Sequence, residues 1–412
     1  MCESVRVTGA IGGAGSERYS GSGWPVADGH SSRGKLDAAV RAREHAPDLR
    51  STETRVMSVI HPPCPESAPD RAATAMAVAA PAARSDRFSV APMMDWTDRW
   101  CRRFHRLLTR HALLYTEMLH ANAVVRGDRE HLLGYAEVEH PLALQLGGCE
   151  PDTLAEAARI GEDFGYDEIN LNVGCPSDRV QSGDFGASLM ASPDRVARAV
   201  EAMQRAVNVP VTVKHRIGID EQDSDADLHA FVRTVADAGC RHFIVHARKA
   251  WLQGLSPKDN RDVPPLDYAR VHRLKAEFPQ CVIVLNGGLD DVVAAREHLT
   301  TLDGVMFGRH AYHHPWSLAG VDRLYFGATQ RPERAEVVRQ LQDMAEEMRR
   351  EGVPLARLTR HVLGLFHGEP GARQWRRILT EGAHRPDAGP ELIERAAAAC
   401  PAAQVDTPVP AD

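Results

Sequence analysis

The chain has 412 residues, 43% hydrophobic and 25% charged, with a formal net charge of -7 at pH 7. These proportions suit a soluble globular protein with one large domain and a smaller one. The acidic balance excludes a protein that coats nucleic acid indiscriminately, although a local basic groove stays open. No apolar run approaches the roughly 18 residues of a membrane span, and the eight scattered cysteines (Cys2, Cys64, Cys101, Cys149, Cys175, Cys240, Cys281, Cys400) form no C-x-x-C pair or compact zinc or disulfide spacing. A reducing cytoplasm is therefore the expected setting, with Cys240 and Cys281 as buried small hydrophobes.

Residues 1–84 are rich in Gly, Ser, Ala, Pro and Arg, lack sustained hydrophobic periodicity, and read as a disordered, dispensable extension. Glu3, Glu17, Asp28, Asp37, Glu44 and Asp48 argue against a transit peptide, and no early apolar segment argues for a secretory signal. Met57 and Met76 are alternative starts.

From Arg87 the chain alternates β-rich runs with helical patterns of roughly 10 to 15 residues, the signature of parallel βαβ units. The strand candidates are 87–93, 112–118, 141–148, 168–174, 209–218, 240–249, 281–288 and 304–311. Helices are expected over 192–207, with Ser192 as N-cap, and over 225–239, with Asp225 as N-cap and Gly239 as the residue after the C-cap. Eight such units predict an α/β fold, a (β/α)8 TIM barrel over 85–327, rather than an open doubly wound sheet. Helical patterns at 334–350 and 355–366 extend it into a C-terminal helical-bundle domain over 328–385, and an Ala- and Pro-rich tail over 386–412 reads as disordered.

Polar residues cluster at the strands' C-terminal ends, the barrel's catalytic face: Glu117, Gln145, Asn170, Asn172, Lys214, Arg216, His246, Asn286 and Arg309. Asn286-Gly287-Gly288 after strand 7 and Gly308-Arg309 after strand 8 suit a phosphate, because glycine admits close backbone approach and arginine adds a forked cation. Lys214 shares the inward face with Thr212 and Arg216 by the period of two, and such a charge requires an anion. Reduced flavin is one partner, and a Schiff-base carbonyl substrate is the other. His246 is expected to touch a ligand, whereas His310, His313 and His314 read as structural.

Cys175 follows strand 4 in INLNVGCPSD, where Ile169, Leu171 and Val173 alternate with Asn170 and Asn172. A cysteine there acts as nucleophile or proton donor, and with no Cys-His-Asn pattern a general acid is expected. Arg357, Arg360, Arg373, Arg376 and Arg377 face only Glu369 as an acid between 357 and 377, a local patch suited to phosphates, which Lys258 and Arg261 extend.

Together APMMDWTDR (91–99), NLNVGCPSDRVQSGDFGASLM (170–190), VKHRIGID (213–220), HARKAWLQGLSPKDNR (246–261), LNGG (285–288), FGR (307–309) and HGEPGARQW (367–375) resemble the tRNA-dihydrouridine synthases, most closely those acting on D-loop uridines 20 and 20a. The resemblance covers roughly residues 86–383. It implies a cytoplasmic flavoprotein oxidoreductase, expected to be a monomer, with FMN and NADPH as cofactors and tRNA as substrate. By matching positions it implies FMN contacts from Pro92, Met93, Met94, Gln145, Lys214, His246, Asn286, Gly287, Gly288, Gly308 and Arg309. Cys175 would protonate C5 of uracil, Asn172 would orient the base, and Lys258, Arg261, Arg373 and Arg376 would line the tRNA groove; no metal is implied. The rival readings are an FMN reductase of a free pyrimidine, like the dihydroorotate dehydrogenases, a Schiff-base lyase using Lys214, and a tRNA-binding chaperone without chemistry.

Overall fold

Short runs rich in Val, Leu and Ile form eight strands: β1 (Phe88–Val90), β2 (Leu113–Tyr115), β3 (Leu142–Gly147), β4 (Glu168–Val173), β5 (Val211–Arg216), β6 (His242–His246), β7 (Val282–Asn286) and β8 (Gly304–Phe307). Each lies within its expected segment and ends earlier than expected. These strands belong to a computed structural model that describes residues 85–403. The expectations for 1–84 and for 404–412 fall outside the described residues.

All pairings are parallel, in the order β2-β1-β8-β7-β6-β5-β4-β3, and β3 pairs back onto β2 through Leu114 with Leu142 and Tyr115 with Ala143. That pairing closes the sheet into a barrel. A two-residue stub, Leu119–His120, continues beside β3 beyond the end of β2. It is too short to carry a periodic signal.

Side-chain alternation divides the barrel as the period of two requires. Ile169, Leu171 and Val173 join the outer core beneath the helices, as do Val213, Phe243, Val245, Ile283 and Leu285. Leu113, Tyr115, Ala143, Ile244, Val284 and Met306 form a separate apolar plug inside the barrel. Above the plug the inward positions turn polar.

The outer layer includes α1 (Arg99–Leu108), α2 (Pro151–Asp163), α3 (Pro193–Ala206), α4 (Asp225–Asp237), α5 (Tyr268–Glu277), α6 (Arg309–His313) and α7 (Val321–Phe326). Ser192 occupies the N-cap position of α3 without a side-chain capping bond. Asp225 is not a cap. Ser224 caps α4 in a reciprocal box with Asp227, and Asp225, one residue inside, pairs with Arg270 and Arg273. Gly239 follows the C-cap with φ 104°, as expected of a residue after a helix end.

After Gly327 the chain forms α8 (Arg334–Arg350), α9 (Ala356–Val362), α10 (Ala372–Gly382) and α11 (Pro390–Ala397), within the same compact unit as the barrel. Helix α9 is shorter than the expected 355–366, and α11 lies in the stretch 386–412 that composition marks as disordered. Leu392, Ile393 and Ala396 of α11 are buried, with Cys400 beyond it, and α11 packs on α8 and α10. Alanine hides that apolar stripe: its composition resembles a linker, but its helix propensity is the highest. Trp375 anchors the bundle, its indole N–H donating to the Val362 carbonyl at 3.0 Å.

Candidate active site

A hydrogen-bonded ladder climbs the barrel interior. Glu168 accepts from Tyr115 at 2.6 Å and from Thr212 at 2.7 Å, and Thr212 accepts from the Asn170 amide at 2.8 Å. Gln145 donates to Asn170 at 2.7 Å and accepts from Asn172 at 2.8 Å. Every amide on the ladder has a partner, so their orientations are determined by one another.

The ladder ends at the loop after β4. Asn172 Oδ1 accepts from the N–H groups of Gly174, at 3.1 Å, and Cys175, at 3.0 Å. The Cys175 carbonyl accepts from Ala187 N–H at 2.9 Å, and Arg216 donates to the Gly174 carbonyl at 2.9 Å. Gln181 donates to the carbonyls of both Pro176 and Leu252, tying this loop to the one after β6. The backbone around Cys175 is thus fixed on four sides, while its thiol, 3.6 Å from Ser177 Oγ, faces open space.

Opposite the thiol stands a group of cations. Lys214 Nζ donates to Asn286 Oδ1 at 3.0 Å, and the Asn286 amide donates to the Met306 carbonyl at 2.8 Å. Burial, then the Arg216 charge, brings Lys214 down from its ordinary value to about 7. Burial, then Arg216, Lys214, Arg248 and Arg261, pushes His246 well below the ordinary histidine range, so its ring is neutral. His246 lines the cavity, and its Nδ1 is buried without a hydrogen-bond partner. Gly287 and Gly288 follow with φ of 108° and 69°; a Cβ on Gly288 would lie 2.3 Å from Leu266, and one on Gly287 3.2 Å from the His246 ring. Only glycine leaves that bend open.

These groups surround one cavity of about 810 Å³. Its wall includes Pro92, Met93, Met94, Gln145, Lys214, His246, Asn286, Gly287, Gly288, Gly308 and Arg309, together with Cys175, Asn172 and Arg261. Glu117 and Asn170, also read as catalytic-face residues, are not on it. Lys258 and Arg373 are not on this wall, although Pro257, next to Lys258, is, and Arg376 lines a neighbouring cavity instead. Arg309 pairs with Asp262 at 2.7 Å.

Sequence reasoning passed over several wall residues. Trp96, in the first quoted motif, stacks on Tyr312 with centroids 4.5 Å apart. His310, His313 and His314, read as structural, also line the cavity, because α6 begins at the barrel mouth directly after β8. The period of two turns Arg216 inward, but its hold on the Gly174 carbonyl of the Cys175 loop has no local signal. Among the described residues no group of three or more His, Cys, Asp or Glu side chains is arranged to hold a metal.

The C-terminal arginines differ from one another. Arg360 is engaged by Asp98 at 2.5 Å, beside a His361–Asp98 contact of 3.0 Å. Glu369 pairs with Arg334 at 2.6 Å and not with the patch. Arg357, Arg373, Arg376 and Arg377 are exposed, and among the described residues none of them has an ion-pair partner.

Comparison with known proteins agrees with this geometry. The family model described as dihydrouridine synthase matches residues 89–401. The tRNA-dihydrouridine(20/20a) synthase of Synechocystis sp. is 58% identical over 309 residues, 75% of this chain and 92% of its own length. Proteins of the same name from Vibrio cholerae and Xanthomonas campestris pv. campestris are 54% and 55% identical over 77% and 78% of this chain and 97% and 96% of their own. With the family model spanning the barrel and the helical bundle, and relatives more than half identical along nearly their whole length, the chain belongs to the dihydrouridine synthase family.

Proposed function

We propose that this protein reduces the C5–C6 double bond of uridines 20 and 20a in the D-loop of tRNA. Enzymes of the family use FMN and NADPH, and the cavity's residues fit a flavin mononucleotide. The glycine bend at Gly287 and Gly288, with Gly308 and Arg309, suits the phosphate; Lys214, Gln145, Asn286 and the His246 ring suit the polar edge of the flavin, and Pro92, Met93 and Met94 its apolar face. Bound flavin supplies, from NADPH, the hydride that adds to C6.

The chain's own contribution begins with Lys214, whose ammonium favours negative charge on the reduced ring. Cys175 donates its thiol proton to C5 and regains it from solvent, and Asn172 keeps the Cys175 backbone in place. Entry of the base requires flipping it from its stack. Arg261 at the cavity wall, Lys258 beside it, and Arg373 and Arg376 on α10 supply cations for the flanking backbone. On this reading the barrel, 85–327, is the flavin domain, and the helices from 328 onward are the tRNA-binding domain of a cytoplasmic monomer. Among the described residues no helix is long and apolar enough to cross a membrane.

The observation that carries the reading is the meeting of a loop cysteine, an inward lysine and a glycine-lined bend on one cavity. An absorbance spectrum, followed by NADPH oxidation with unmodified tRNA and assay of dihydrouridine, tests it. Flavin bands and dihydrouridine gained at 20 and 20a are expected. A protein that cannot be reconstituted with FMN would overturn it, and reduction of free uracil but not tRNA would point to a free-pyrimidine reductase.

A further inference from the structure

A second cavity of about 530 Å³ adjoins the first, and His313 and His314 belong to the walls of both. Tyr312 and the two histidines form its barrel side; Arg360, His367 and Arg376, from α9, the turn after it and α10, form the other. No carboxylate lines it. Asp98, the nearest acid in contact with its wall, already holds Arg360 and His361.

The rings and the cation here divide the work. His314 lies edge-on to His367 with centroids 4.1 Å apart and stacks on His310 at 4.9 Å. Burial lowers both His313 and His314, with Arg309 adding to the first and His367 to the second, so these rings are neutral and offer π faces and N–H donors rather than charge. Arg376 is exposed and unpaired among the described residues, and Arg373, one turn before it, lies on the same helical face and is three residues from Arg376 and four from Arg377. A ligand that matches this wall carries one anionic group for Arg376 and a flat base for the imidazoles, and it continues along the arginine face as a polyanion would.

We propose that this second cavity seats a nucleotide flanking the target uridine, its phosphodiester against Arg376 and its base against the His314–His367 pair. The inference rests on the tRNA reading above, and it adds a subsite that reads the strand beside the reacting base. A free dinucleotide such as NADPH carries the same phosphate chemistry, so the test must separate the two sources.

The test is a double-mutant cycle on the dissociation constant of tRNA for the FMN-loaded enzyme, with turnover measured alongside. Arg376→Ala is crossed with tRNAs carrying a single uncharged methylphosphonate at each linkage flanking the target in turn. Each change alone is expected to weaken binding about tenfold, and at one linkage the pair together should still weaken it only about tenfold, because both remove the same contact. His367→Ala should weaken binding about threefold or more with little change in salt dependence, as loss of a stacking contact predicts. Fully multiplying losses at both linkages, or unchanged affinity in both variants, would overturn the subsite. A weakened NADPH-driven bleaching of the flavin in Arg376→Ala would assign the groove to the dinucleotide and likewise overturn it. If the wild type binds tRNA but forms no dihydrouridine, the proposed reaction fails while the cycle still decides the groove.

Discussion

The side-chain oxygen of Asn172 and the backbone N–H of Cys175 are 3.0 Å apart, in a hydrogen bond that joins the end of a barrel strand to the loop bearing the proposed proton donor. Gln145 holds the other end of the same amide, so the orientation of Asn172 comes from the barrel interior. Asn172→Ala is expected to lower kcat by about tenfold to a hundredfold, the equivalent of one or two hydrogen bonds, with FMN content retained. If only KM for tRNA rises, Asn172 serves the base rather than the loop.

Removing the thiol itself should be more severe. Cys175→Ala should lose about a hundredfold to ten-thousandfold in dihydrouridine formation, the range of general acid catalysis, and NADPH should still bleach the flavin. Stopped-flow traces with and without tRNA separate these half-reactions. Near-normal turnover in Cys175→Ala would show that the proton comes from elsewhere.

Lys214 implies a particular pH dependence. Its folded pKa of about 7 lies below its ordinary 10.5, so between those values the unfolded chain binds more protons than the folded one, and stability rises with pH across that window. Below pH 7 the penalty of burying the charge is fully present. Thermal melts of protein stripped of FMN should show this rise, and Lys214→Met should flatten it. An unchanged slope in the variant would mean that another group titrates.

Asp98 joins the barrel to the helical bundle. Its carboxylate caps α1 through Trp100 and Cys101 and pairs with Arg360 and His361 across the junction. Burial pushes its carboxyl up, but His361, the Cys101 N–H and Arg360 outweigh this and hold it at about 2. Its stabilisation is therefore complete above pH 3.8 and is lost as pH falls toward 2. Asp98→Asn keeps the cap and removes the charge, and on the order of 2 kcal/mol of stability at pH 7 should go with it. Denaturant titration at pH 7 and pH 3 reads both effects; equal losses at the two pH values would contradict the ionic account.

Helix α11 should behave as core. Ile393→Ala is expected to destabilise by about 2–5 kcal/mol, as buried aliphatic truncations do, and truncation after Gly389 should broaden or lower the melting transition. A truncated protein that melts like the full chain would return this segment to the disordered class.

Much of this architecture is legible residue by residue. The alternation of Ile169, Leu171 and Val173 with Asn170 and Asn172 assigns faces without any tertiary information, because a strand's period is two. The bounds of α8, Arg334–Arg350, likewise follow from a long amphipathic pattern. Errors fell where a signal was short or relational: Ser224 rather than Asp225 as cap, and α11 concealed by alanine. The pairing of Glu369 with Arg334 lies outside any window a sequence pattern can see.

The sequence by itself determined the alternating α/β order and which strand side chains face into the barrel, and it singled out a loop thiol, an inward lysine and glycines after the last strands as candidates for the chemistry. Only the tertiary structure decided which of these meet. It brought Lys214 to Asn286, Cys175 under the hold of Asn172 and Arg216, and His313 and His314 to a wall shared by two cavities. It also separated Arg376 from Arg360, one unpaired and the other engaged by Asp98. The physical reason is range: face and periodicity are set by neighbours along the chain, whereas desolvation, ion pairing and cavity walls are set by residues that only the closed barrel and its packed helices bring together.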